Sequence, residues 1–339
     1  MTNHAHCDRW IEGFTADDSV SAVAQRSLQA RLSTVRHYLS LAAEKSGDDL
    51  EYVHQLRVYT RRSMAALKLY TNVLPKKETK RLRKTLSRIR KAAGVARDLD
   101  VLALSHASDT GTGAHKFLAD VRQRRKAAQK PIVAIYRLLE KKHDFHHQIE
   151  PLLEKTVGKP PCSAAGSFGN WAAARLRKIL QRFFKASPSD LDDLKSLHRL
   201  RIRSKELRYA MELLAPAFAA EFREQLYPVV EELQERLGEI HDHAVAKSRF
   251  HRWISETESK REAVHLRKLF EQERDKLDKL RMDFASWWTP EFEANLQASF
   301  QRLSRDRQST LLREFSRREV LGQACNDAHE TELHKLIRG

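Results

Sequence analysis

Displaced by 144 residues, the sequence matches itself, and that self-similarity restricts the chain to folds that can be built twice. The segment VHQLRVYTRRSM (53–64) falls on LHRLRIRSKELR (197–208), so that His54 meets His198, Arg57 meets Arg201 and Arg61 meets Lys205. The same displacement carries GVARDLDVL (94–102) onto GEIHDHAVA (238–246), pairing Gly94 with Gly238 and Asp98 with Asp242. Upstream it lays ARLSTV (30–35) on ARLRKI (174–179), pairing Arg31 with Arg175. Three blocks in one register indicate a duplication.

Each half reads as about four helices: roughly 18–44, 50–73, 76–107 and 114–154, then 164–186, 191–215, 219–253 and 256–285. Gly94 marks a candidate break within the third. Gly, Pro and Ser-Pro breakers separate the elements, and Asp49 and Asp190 stand where N-caps belong. No strand alternation is visible, and Gly and Pro are scarce beside Leu, Ala, Arg, Lys and Glu, so the fold class expected is all-α. This gives two pseudo-symmetric four-helix bundles, 15–157 and 164–290, joined by a hinge at 158–167. A helical extension, 291–339, shows no counterpart in the first half.

The second helix of each half carries an unusual charge row. At about 100° per residue, His54, Arg57, Arg61 and Lys68 occupy an arc of roughly 60°, bordered by Val53 and Met64 on one side and Val58 and Leu69 on the other. In the second copy His198, Arg201, Lys205 and Arg208 fill an arc of about 80°, again between apolar neighbours. A charge row is ordinarily a solvated face. Here apolar residues frame it, and both copies retain it. The opposite faces (Gln55, Tyr59, Arg62 against Arg199, Arg203, Glu206) read as ordinary surface whose chemistry has drifted. Arginine suits bidentate contact with phosphate oxygens and lysine supplies a point charge. A histidine among fixed cations is held neutral and can donate an N–H to an anion.

The following helix reinforces this. From Lys76 to Arg97 there are ten Lys or Arg and one acid, Glu78. Arg83, Arg90 and Arg97 run along one edge of its apolar stripe, whereas their partners in the second half are Tyr227, Gln234 and His241. With 62 Lys and Arg against 45 Asp and Glu, the formal charge of +17 calls for a polyanionic partner such as nucleic acid, a membrane surface or polyphosphate.

His-x-x-Arg-x-x-x-Arg/Lys on a helix, present twice and each time followed by Gly-x-x-(Arg/His)-Asp, resembles the CHAD domain (conserved histidine α-helical domain). The resemblance covers roughly residues 15–290. It implies two helical bundles whose basic helices face a shared groove or pore that binds inorganic polyphosphate, with polyphosphate granules as an associated location. Carried over by position, the implied ligands are His54, Arg57, Arg61, His198, Arg201, Lys205 and Arg208. Met64 stands where the family pattern often has Arg, and Lys68, one turn on, is the compensating candidate. Arg31, Arg83, Arg90, Arg97 and Arg175 complete the candidate polyphosphate-binding set. Asp98 and Asp242 read as carboxylates that orient a neighbouring arginine or cap a helix.

Other functions fit less well. His4–His6, His241–His243 and His146-His147 lack matching Cys, Asp or Glu at ligand spacing, and the segment from His329 to His334 is one residue too long for a zinc H-E-x-x-H pattern, so no metal or other cofactor is expected. Nucleic acid would meet the same cations through its backbone, but aromatics make up only 8% and do not interleave with the row, so such binding would be non-specific. No phosphate-binding Gly-rich loop, nucleophile elbow or acidic Mg²⁺ cluster is present, so the expectation is a binding module without catalysis. Three scattered cysteines, no apolar signal segment and no run of ~18 apolar residues point to a soluble cytoplasmic protein without membrane contact.

Overall fold

In the computed structural model the described residues are 9–108, 112–141, 144–156 and 167–303. The hinge, the end of the extension, all three cysteines, His4–His6 and His329–His334 lie outside them. Among the described residues run nine α-helices with these limits: α1 (Val20–Glu44), α2 (Glu51–Leu69), α3 (Lys76–Ser105), α4 (Thr112–Lys141), α5 (Asp144–Glu154), α6 (Phe168–Phe184), α7 (Leu194–Leu214), α8 (Tyr227–Glu256) and α9 (Lys260–Trp287). A tenth, α10, spans 290–303. Among the described residues there is no strand, and no helix is long and apolar enough to cross a membrane. The fold is all-α.

In the first half α1–α4 pack on one another in sequence, α4 returns to α1, and α5 lies against α1, α3 and α4. In the second half α6–α9 pack in the same order, and α2 against α7 joins the halves. Burial follows the 144-residue displacement: Leu32 and Leu176, Val53 and Leu197, Leu56 and Leu200, Leu86 and Val230, and Ile89 and Leu233 are all buried. Apolar residues at helical spacing thus supply one core stripe per helix, and removing each side chain from water contributes roughly 1.5–3 kcal/mol.

Several local expectations changed. α3 passes through Gly94 without a break, because a glycine inside a long packed helix costs only about 1 kcal/mol. The expected helix 114–154 is covered by α4 and α5, which stand on either side of residues 142–143, outside the described residues. Asp193, not Asp190, caps α7, its carboxylate accepting from the backbone N–H groups of Lys195 and Ser196. Asp190 instead accepts from Asp192 N in the preceding turn, and Asp49 accepts from Glu51 N at the start of α2. α10, in the extension, is anchored by the buried Leu296 and Phe300.

Candidate functional site

Where α2 meets α7, four cations from the two basic rows converge: Arg57 and Arg61 from one helix, Arg201 and Lys205 from the other. All four are partly buried. Burial lowers the pKa of Arg61, and the charges of Arg57, Arg201 and Arg90 lower it further. Burial likewise lowers Arg201, with Arg57 adding to the effect and Asp242 opposing it. Lys205 is pushed down to about 7, first by burial and then by Arg201 and Arg61. A lysine shifted this far is one whose charge the fold disfavours until an anion arrives.

Two carboxylates orient the arginines without neutralising the cluster. Arg57 Nη1 donates to Asp98 Oδ1 at 3.0 Å, and Arg201 Nη2 to Asp242 Oδ1 at 3.5 Å. The arginine and the acid are 41 residues apart in each half. Both aspartates come from the helix that follows the basic row, α3 or α8, as expected of residues that position a neighbouring guanidinium. Arg201 Nε is buried without a hydrogen-bond partner among the described residues. A buried donor of this kind costs free energy until an acceptor reaches it.

Histidines flank the cluster. Burial, Arg97 and Arg57 lower the pKa of His54, which favours its neutral ring. His241, the counterpart of Arg97, is pushed down to about 4 by burial and then by Arg201. Its Nδ1 lies 3.3 Å from His198 Nδ1, so one ring carries the shared proton and the other accepts it. Arg249 on α8 also approaches, close enough to Asp98 to feel its charge, while burial lowers its pKa. Comparing the two copies could not have found it, because its counterpart is Ser105.

Four expected ligands lie elsewhere. Arg31 is only 1% exposed and donates to Glu212 Oε2 at 3.4 Å and to the Arg9 carbonyl at 3.3 Å. It belongs to the core. Arg208 is held by Gln234, Tyr227 and Glu231 at 2.6–3.1 Å, with Glu212 at 3.7 Å, and its neighbours Tyr209, Tyr227 and Glu212 raise its pKa despite its burial. Lys68, the candidate to compensate for Met64, pairs with Glu206 at 3.1 Å. Arg175 donates to the Lys68 carbonyl at 3.3 Å and sits beside Arg182 and Glu206. Of the α3 edge, Arg97 is half-buried beside His54, Arg90 is exposed but acts on Arg61, and Arg83 is exposed further along.

The opposite face of α2 also proved not to be ordinary surface. Tyr59 and Arg62 are buried, Tyr59 stacking on Tyr38 and Arg62 Nε donating to Glu212 at 3.0 Å. Arg62 corresponds to Glu206 and Glu212 to Lys68 under the displacement. Arg62–Glu212 and Lys68–Glu206 are therefore one contact made twice with its signs exchanged. What resembled drift is charge complementarity between the halves.

The histidine pair His146-His147 gains a companion in Glu150. The three exposed residues bring ligand atoms within 4.8 Å of one another, and no fourth His, Cys, Asp or Glu joins them among the described residues. They lie on α5, which is not part of the α2–α7 cluster. His146 and Glu150 border a separate groove of about 980 Å³ whose lining also comes from α1 and α4.

A family model described as the CHAD domain matches residues 26–251. Among solved structures, the CHAD domain from the plant Ricinus communis superposes with a TM-score of 0.67 at 22% identity, over 88% of this chain and 97% of that one. PptA from Streptomyces chartreusis superposes with a TM-score of 0.56 at 17% identity, over 80% of this chain and 99% of that one. At these identities the likeness concerns the fold. No curated protein matches the sequence significantly.

Proposed function

Given that the chain belongs to the CHAD-domain family, we propose that it binds inorganic polyphosphate at the α2–α7 cluster and carries out no chemistry on it. The observation that carries this reading is the crowding of Arg57, Arg61, Arg201 and Lys205 beyond what Asp98 and Asp242 offset. Such a site is stabilised by a ligand with closely spaced negative charges. A repeating phosphate chain supplies them at every unit and offers guanidinium groups paired oxygens. The site's charged groups are cations, imidazoles and the two orienting aspartates, and the aromatic side chain near enough to act on Arg61 and Arg201, Tyr209, is buried and so is no open platform for stacking a base. Association with polyphosphate granules in the cytoplasm would follow from this binding.

Competition for labelled polyphosphate tests the assignment. Unlabelled polyphosphate should displace it at least about tenfold more effectively than random-sequence duplex DNA at matched phosphate concentration and salt. Affinity should fall as salt rises, because binding releases counterions. Equal competition by DNA would sink the preference for polyphosphate.

Lys205 makes binding depend on pH. Its folded pKa, near 7, lies below that of a free lysine. At neutral pH the empty site is therefore only partly protonated there, and a bound polyanion draws the proton on. One linked proton gives an affinity that falls as pH rises above 7, by up to about tenfold per unit. Lys205→Arg, which stays charged, should flatten that profile between pH 6 and 9. An unchanged slope in the variant would remove Lys205 from the linkage.

A further inference from the structure

We propose that a polyphosphate chain seated on the α2–α7 cluster leaves it along α3, over Arg90 and Arg83, and not along the corresponding path on α8; the proposal rests on the polyphosphate reading above. The two paths occupy equivalent positions in the duplicated sequence, yet their chemistry differs. Arg83, Ser87 and Arg90 on α3 correspond to Tyr227, Glu231 and Gln234 on α8, and Met64 on α2 corresponds to Arg208 on α7.

The α3 path is open. Arg83 and Arg90 are exposed, and among the described residues no carboxylate pairs with either. Arg97, Arg90 and Arg83 follow one another at seven-residue spacing, about 10 Å per step along the same edge. Arg90 is near enough to the cluster for its charge to act on Arg61. A phosphate chain emerging there meets a further unneutralised cation two turns later.

The α8 path is neutralised and covered. Glu231 Oε1 accepts from Arg208 Nη1 at 3.1 Å, and Arg208 Nε donates to Gln234 Oε1 at 2.6 Å. From the start of the chain, Arg9 Nη1 donates to both oxygens of Glu231, at 2.9 and 3.0 Å. Trp10 sets its ring edge-on to Tyr227 with centroids 4.6 Å apart, and Arg223 stacks 4.5 Å from the other ring of the pair, Trp10. The N-terminal segment thus lies over the α8 residues that match Arg83 and Ser87. A phosphate chain following α8 would have to displace these contacts and pass a carboxylate.

Chain length exposes the difference. Tripolyphosphate is short enough to be satisfied by the cluster, whereas a long chain also reaches Arg83. Isothermal titration of the full chain with tripolyphosphate and with long-chain polyphosphate, for native protein, Arg83→Ala and Lys84→Ala, reads the effect. Lys84 is exposed and carries the same charge one residue away, off the edge. Arg83→Ala should weaken the long chain by about tenfold, the scale of one charge-assisted contact, and tripolyphosphate by less than about twofold. Lys84→Ala should change both by less than about twofold. Equal losses for the two ligands in Arg83→Ala, or a long-chain loss no greater than in Lys84→Ala, would overturn the α3 path while leaving polyphosphate binding intact. Failure of native protein to bind either ligand would overturn the polyphosphate reading and the path with it.

Discussion

Glu212→Gln should destabilise the fold by about 3–5 kcal/mol, the usual cost of removing one partner from a buried ion pair. Glu212 is fully buried and its carboxylate holds Arg62 at 3.0 Å and Arg31 at 3.4 Å, with Arg208 at 3.7 Å. It also accepts from the Tyr227 hydroxyl at 3.1 Å. The amide keeps the shape but not the charge, leaving Arg31 in the core with no counterion. For a domain of this size the loss corresponds to roughly 10 °C in Tm. Glu206→Gln provides the comparison. It also loses a carboxylate with several cationic partners, but Lys68 and Arg182 have side chains 54% and 44% exposed and return to water. That substitution should cost about 1 kcal/mol or less. Thermal melts of both variants decide the matter, and a Glu212→Gln protein within 1 kcal/mol of native would show that the arginines find other compensation.

The contrast between these two glutamates explains what the sequence could and could not disclose. Arg57, Arg61, Arg201 and Lys205 were legible because helical periodicity groups them and the second copy repeats them. Asp98 and Asp242 were legible for the same reason, each close behind a repeated glycine. Arg31, Lys68 and Arg208 belong by charge and spacing to the same pattern, but their surroundings depend on residues far away along the chain or on another helix. Arg31 lies 181 residues from Glu212, and nothing local to either announces the pairing. Arg62 and Tyr59 failed for the opposite reason, since a polar residue opposite a basic row looks solvated until a packed neighbour covers it, Tyr38 of α1 for Tyr59 and Glu212 of the second half for Arg62. Helix positions were read within a few residues, whereas the N-terminal segment over α8 arises from tertiary packing. Periodicity identified the helices and the row; only the packing of α2 on α7 separates the four cations that crowd together from those that meet Glu206 or Glu212.

That separation sets the expectation for the cluster itself. Replacing Arg57, Arg61, Arg201 and Lys205 together with alanine should reduce polyphosphate affinity by at least about 10³-fold, since charged hydrogen bonds contribute roughly 1.5–3 kcal/mol each. The helical circular dichroism should be unchanged. Unlike Arg31 and Arg62, these side chains do not hold a buried carboxylate: the acids they face, Asp98 and Asp242, have side chains 44% and 75% exposed and are rehydrated when the arginines go. The lowered pKa values of Arg61, Arg201 and Lys205 mean that burial and mutual repulsion already oppose their charges in the empty protein. Relieving that repulsion offsets the lost packing of their aliphatic stems. The ligand-free variant should therefore melt no lower than within a few degrees of native, and it should lose the thermal stabilisation that polyphosphate confers on native protein. A collapse of helical signal would make the cluster structural, and binding retained within tenfold of native would place the polyphosphate site elsewhere. If both results hold, a cluster strained by its own charge is relieved by ligand, and the same four residues that weaken the free fold would supply the free energy of binding.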